Sequence, residues 1–153
     1  MFGNLVNCRG IAKIRGGNGY PDLKGCATFV QTEKGVLVTV RVSGLPKNAR
    51  CEGGIFAMHI HAGENCVGDS NDQFSGAKTH YNPEDCLHPY HAGDLPPLIG
   101  NNGVAYMSVL TDRFTVSEIL GKVIIIHLNK DDFTTQPSGN SGTKIGCGKI
   151  IRA

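Results

Sequence analysis

Apolar and polar positions alternate with period two along most of this chain. In residues 35–42, Val36, Val38, Val40 and Val42 fall on one side and Leu37, Thr39 and Arg41 on the other. That is the pattern of a strand with one buried face. Residues 27–31 also read as a strand, with Glu33-Lys34-Gly35 as the hairpin turn between the two. Residues 11–15 form another, followed by the turn-rich Gly16-Gly17-Asn18-Gly19. Further strands are predicted over residues 54–61, 103–110, 123–127 and 145–152, with one short helical turn within 112–120. Seven or so short strands separated by turn signals predict an all-β antiparallel sandwich or barrel.

Two stretches break the rhythm. Residues 63–93 are rich in Gly, Asn, Asp and Pro and contain Cys66, His80, His88 and His91; residues 128–143 form a second polar loop. A long irregular segment in a compact domain is usually functional or disordered, and the histidines favour function. No repeat, low-complexity stretch or linker divides the sequence, so residues 1–153 read as a single domain.

Size and composition narrow the classes. A chain of 153 residues buries roughly two thirds of its unfolded surface around one core. Hydrophobic residues make up 40% and charged residues 18%, which argues against a disordered tail. The longest apolar run, Val123-Ile124-Ile125-Ile126, falls far short of the ~20 residues of a membrane helix, so no membrane association is expected. A net charge of +2 gives no reason to expect nucleic acid. Met1-Phe2-Gly3-Asn4-Leu5 has neither a basic n-region nor an apolar h-region, so no signal peptide is read. A cytoplasmic protein and a mature exported form both fit.

Cysteine and histidine carry the chemistry. Cys8, Cys26, Cys51, Cys66, Cys86 and Cys147 include no C-x-x-C pair, which gives zinc-ribbon and thioredoxin readings little support. An even count fits disulfides, while a missing export signal fits a reducing compartment. Five of the six histidines lie between His59 and His91. In Met58-His59-Ile60-His61, residues two apart on a strand point to the same side, so His59 and His61 can reach one metal. His80, His88, His91 and Asp94 make a plausible tetrahedral zinc site of three histidines and a carboxylate. His127 ends the apolar run, with Asp131 four residues on, where a carboxylate can fix the tautomer of a liganding histidine. Two sites of four protein ligands need more donors than six histidines and Asp94 supply. Either water fills one position or one imidazole bridges two metals, and imidazole suits copper as well as zinc.

The motifs Phe56-Ala57-Met58-His59-Ile60-His61-Ala62-Gly63, Thr79-His80-Tyr81-Asn82-Pro83, His91-Ala92-Gly93-Asp94-Leu95-Pro96, His127-Leu128-Asn129-Lys130-Asp131-Asp132 and Gly139-Asn140-Ser141-Gly142-Thr143-Lys144-Ile145-Gly146-Cys147-Gly148 together resemble the copper–zinc superoxide dismutase family over nearly the whole chain. The H-A-G-D-L-P form and the short second loop look more like bacterial members. The resemblance implies an eight-stranded antiparallel Greek-key barrel or sandwich with two long functional loops. It implies copper bound by His59, His61, His80 and His127, and zinc bound by His80, His88, His91 and Asp94, with His80 as the bridging imidazolate. It places Asp131 as the carboxylate linking a copper histidine to a zinc histidine, and Cys66 and Cys147 as an intrasubunit disulfide. Cys51 and Cys86 are a conceivable second pair, and Cys8 and Cys26 are free or paired.

The implied activity is dismutation of superoxide, the small-molecule substrate, to dioxygen and hydrogen peroxide. His80 would be released on reduction and would carry a proton to the product. One departure matters: Lys144 stands where the family usually has an arginine beside copper. Lysine keeps the charge but loses the planar fork, so reduced activity is expected. The acidic cluster of longer family loops also has no counterpart in residues 128–143. The principal alternative is a non-catalytic metal-binding or copper-delivery domain on the same scaffold. A zinc hydrolase built on His59 and His61 would need a base, for which Glu64 is the nearest residue in sequence. A homodimer is compatible with the resemblance.

Overall fold

The period-two segments become strands, and a computed structural model describing residues 8–48 and 51–153 shows how they assemble. The strands are β1 (Arg9–Gly16), β2 (Lys24–Thr32), β3 (Gly35–Ser43), β4 (Ile55–His61), β5 (Asp94–Ile99), β6 (Ala105–Thr111), β7 (Val123–His127) and β8 (Lys144–Arg152). They form one antiparallel sheet in the order β5-β4-β7-β8-β1-β2-β3-β6. Its outer strands, β5 and β6, approach each other, so the sheet curls into a nearly closed barrel. The N-terminal pentapeptide lies outside the described residues. No helix among the described residues is long and apolar enough to cross a membrane.

The barrel fills with the inward side of each alternation. Val36, Val38, Val40 and Val42 meet Ala12, Ile14, Ala27, Phe29, Ile124, Ile126, Ile145 and Ile150, all buried. A fully buried aliphatic side chain of this size contributes about 1.5–3 kcal/mol of transfer free energy. The helical turn is α1 (Val116–Ile119), started by a capping box in which the Glu118 N–H donates to the Thr115 hydroxyl and the Thr115 N–H donates to the Glu118 carboxylate. Val116 and Ile119 are buried in the main core.

Strand β7 explains its own composition. Ile124 and Ile126 face the barrel, while Val123 and Ile125 face outward into a second cluster with Phe74, Ala77, Cys147 and Cys66. A strand covered on both faces reads as a continuous apolar run. What covers it is the first half of the 63–93 loop, which carries a single 3-10 turn at Ser75–Ala77.

Two sequence expectations need correction. Strand β5 was not among the predicted elements, because Pro96 and Pro97 argue against a strand. It is tolerated because β5 is the outermost strand beside β4, where a missing N–H breaks no second ladder. The conceivable Cys51–Cys86 pair is not formed: Cys8, Cys26, Cys51 and Cys86 are all free thiols.

Candidate metal centre

The outward face of β4 carries the first two histidines, while Phe56, Met58 and Ile60 face the barrel. His59 lies opposite Asp94 of β5 and Ile125 of β7, and His61 opposite Val123. His80 enters through a bridge to His61. At the end of β7 the register with β8 shifts between Ile126 and His127. The β7 alternation puts His127 on the outward side with Val123 and Ile125, the side that His59 and His61 occupy on β4, and there it joins His59, His61 and His80. All six histidines are at most 6% exposed.

Their ring nitrogens divide into anchored and bare. The His61 Nδ1–H donates to the Lys78 carbonyl at 2.8 Å, and the His127 Nδ1–H to the Gly142 carbonyl at 3.2 Å. A carbonyl only accepts, so in each neutral ring Nε2 is the bare nitrogen. Those two Nε2 atoms face each other at 3.3 Å, two lone pairs with no proton to share. The His59 Nε2–H donates to Asp131 Oδ2 at 2.7 Å, which leaves its Nδ1 buried without a partner. The His80 Nδ1–H donates to Asp94 Oδ1 at 2.8 Å, and its Nε2 is likewise buried and unpartnered. Four bare nitrogens thus converge from His59, His61, His80 and His127.

The second group uses the other nitrogen of His80. His80 Nδ1 and His91 Nδ1 lie 3.3 Å apart, and His91 Nδ1 lies 3.3 Å from Asp94 Oδ2. His88 Nδ1 sits 3.0 Å from the same oxygen without making a hydrogen bond. Ligand bonds of about 2.05 Å in a tetrahedron put donors roughly 3.3 Å apart. The spacing, the nitrogen–oxygen donor set and the orphaned His88 Nδ1 all fit zinc. The all-imidazole set of the first group suits copper.

Asp131 ties the two groups together. Its Oδ2 holds His59 and its Oδ1 accepts from His88 Nε2 at 2.8 Å, with a further bond from the Phe133 N–H at 2.8 Å. Burial pushes this carboxyl up, but the bonds from His59 and His88 outweigh it and hold it at about 2. Gly139 makes room: with φ +69, a Cβ there would fall 2.0 Å from Asp131 Oδ1 and 2.6 Å from His88 Nε2. Burial lowers His59, His61 and His91, and lowers His127 to about 3. Near neutral pH these rings are uncharged, the state in which imidazole ligates. Burial likewise works to raise Asp94, yet its bond from His80 prevails and the carboxyl lies below its ordinary value.

Comparison with known proteins decides the assignment. A family model described as copper/zinc superoxide dismutase matches residues 23–150. The chain belongs to the copper/zinc superoxide dismutase family. It is 33% identical over 141 residues to superoxide dismutase [Cu-Zn] 2 of Aquifex aeolicus, covering 82% of this chain and 78% of that one. Superoxide dismutase [Cu-Zn] of Deinococcus radiodurans is 33% identical over 142 residues, covering 81% and 75%. Among solved structures, a double mutant of a SOD-like protein from Bacillus subtilis aligns with a TM-score of 0.74 at 28% identity, covering 92% of this chain and 96% of that one. Cu/Zn superoxide dismutase from Brucella abortus aligns with a TM-score of 0.76 at 21% identity, covering 92% and 98%, a likeness of fold.

Cys66 and Cys147 are bonded, with Cα atoms 5.8 Å apart across 81 residues of chain. Lys144 lines a cavity of about 390 Å³ with His61, His80 and His127. Its ammonium, however, donates to Asp72 Oδ2 at 2.6 Å and to the Phe74 carbonyl at 3.4 Å. Glu64 is exposed and belongs to neither donor group.

Three contributors escaped sequence reasoning. Gln136 clamps His88 through its backbone, accepting from the N–H at 2.9 Å and donating to the carbonyl at 2.7 Å. Arg113 donates to the carbonyls of Pro89 and His91 at 3.0 and 3.3 Å. Asp72 holds Lys144. Each acts across more than 20 residues of sequence, so no local pattern marks it.

Proposed function

We propose that this chain converts two superoxide anions and two protons into dioxygen and hydrogen peroxide. In this reading His59, His61, His80 and His127 hold copper, and His80, His88, His91 and Asp94 hold zinc, with the His80 imidazolate between them. The observation that carries it is the double placement of His80, whose Nδ1 faces the Asp94 group while its Nε2 lies buried and bare toward the other. Bound copper supplies the one-electron oxidation of one superoxide and the one-electron reduction of the next, whereas zinc is redox-inert and structural.

The chain's own residues do the rest. Asp131 keeps His59 and His88 in the tautomers that leave their Nδ1 atoms bare. The Lys78 and Gly142 carbonyls do the same for the Nε2 atoms of His61 and His127. His80 Nε2, a buried nitrogen of a ring that lines the cavity, is suited to hold a proton and pass it to the peroxide product. Positive charge at the cavity favours entry of a small anion. Lys144 offers a point charge rather than the two-pronged grip of arginine, and Asp72 offsets that charge. We therefore expect activity below that of an arginine-bearing site.

The same Asp72–Lys144 pair favours a second reading, a copper-delivery domain without turnover. Metal analysis, electron paramagnetic resonance and stopped-flow superoxide decay separate the two. One copper with a tetragonal Cu(II) signal, one zinc per chain and accelerated decay support the dismutase. Both metals bound without acceleration leaves the carrier. The chain is also proposed to form a homodimer, which light scattering checks.

A further inference from the structure

Lys78 sits in a backbone conformation that a lysine has no conformational reason to occupy. Its φ is +59° and its ψ −145°, a region populated essentially by glycine. The backbone duties of the position are to close the 3-10 turn, through the Lys78 N–H donating to the Ser75 carbonyl, and to receive the His61 Nδ1–H on its own carbonyl. Glycine would perform both without strain. What lysine adds is a side chain.

That side chain is exposed and lines the same cavity as His61, His80, His127 and Lys144. No carboxylate lines that cavity, and among the described residues Lys78 has no ion-pair partner. Lys144 differs on each count: its side chain is only 16% exposed and its ammonium is occupied by Asp72. The cavity therefore has two ammonium groups, one neutralised at close range and one free.

We propose that Lys78 is the free cation that draws superoxide into the cavity, a steering residue for the reaction. The strained backbone is retained for the charge it carries. This rests on the dismutase reading above. The effect acts through the field, so it is modest and sensitive to salt: one unit charge several ångströms from the binding point changes anion affinity about two- to fivefold at low ionic strength. At 1 M salt, with a Debye length of about 3 Å, the difference vanishes.

The test uses copper- and zinc-loaded wild type, Lys78→Gly and Lys78→Arg, with azide as the anionic probe read through the Cu(II) absorption band of the loaded fraction. Superoxide decay is followed against ionic strength, and Tm is measured for each variant. Lys78→Gly should raise Tm, because glycine fits the backbone, while weakening azide binding two- to fivefold and flattening the salt dependence. Lys78→Arg should retain azide affinity. Opposite signs for stability and anion affinity are what a merely structural lysine does not produce. A raised Tm with unchanged azide affinity and salt slope overturns the proposal. Wild type that binds both metals yet leaves superoxide decay unaltered refutes the dismutase reading instead, and the azide titration then still decides whether Lys78 attracts anions.

Discussion

Replacing Gly139 by alanine tests the link between the second loop and the metal centre with a single methyl group. The position has φ +69, and a left-handed backbone costs a non-glycine residue about 1–2 kcal/mol. The methyl would also stand 2.0 Å from Asp131 Oδ1 and 2.6 Å from His88 Nε2. Neither atom can stay, because the His88–Asp131 bond is 2.8 Å long and both side chains are buried. Losing the carboxylate that orients a metal histidine typically lowers metal affinity 10–100-fold, or about 1.4–2.8 kcal/mol. Gly139→Ala should thus lose about 1–2 kcal/mol of metal-free stability and weaken zinc 10–100-fold. Urea unfolding of the apoprotein and zinc competition against a chromogenic chelator measure the two separately. Asp131→Asn is the control, since an amide has one acceptor oxygen and cannot serve both histidines. Wild-type zinc affinity in Gly139→Ala would refute the argument that Asp131 holds the zinc ligands in place.

Other outcomes follow from features already described. Cys66→Ser removes a cross-link across 81 residues and should cost about 4–5 kcal/mol in the chain-entropy model, read as a fall in calorimetric Tm; an unchanged Tm would remove the bond from the stability account. Burial holds His127 at about 3 in the folded apoprotein against 6.5 for an unperturbed ring. The unfolded chain therefore binds more protons between those values, and stability is full above about pH 6.5 and falls as pH drops toward 3, by on the order of 4–5 kcal/mol from this ring alone. Urea midpoints of the apoprotein from pH 8 to 4 check the sign, and a flat profile contradicts it. Asp72→Asn releases Lys144 and should tighten azide binding to the copper-loaded protein about two- to fivefold at low salt; weaker binding would mean that Asp72 serves to place the ammonium rather than to offset it.

Much of the centre was legible because its geometry is local. His59 and His61 share a strand face by period alone, and His88, His91 and Asp94 lie close enough in sequence to be read as one group. The barrel strands were legible for the same reason. Strand β5 was not, because Pro96 and Pro97 are poor strand formers and only its edge position makes them harmless. Long-range polar contacts were equally hidden: nothing near Gln136 announces His88, and nothing near Asp72 announces Lys144. Lys78 carries a further lesson, since a left-handed backbone at a lysine is invisible until the chain is folded. Cys51 and Cys86 show the reverse error, where closeness in sequence to the His59 strand and to His88 suggested a bond that the fold does not make.

The seat formed by Phe74 and Ala77 on Val123 and Ile125, with the bond from Cys66 to Cys147, divides the long loop into halves of unequal fate. The proximal half is clipped to the barrel by apolar contact and a covalent link, neither of which involves an ion. The distal half, from His80 to Asp94, leans on Asp94, Asp131, Gln136 and Arg113 around its histidines. Demetallation should accordingly unfasten one end while the other stays latched, so amide exchange would quicken beyond His80 and hold steady around Phe74. Copper and zinc lost from such a hinge can return to a pocket whose far wall never left.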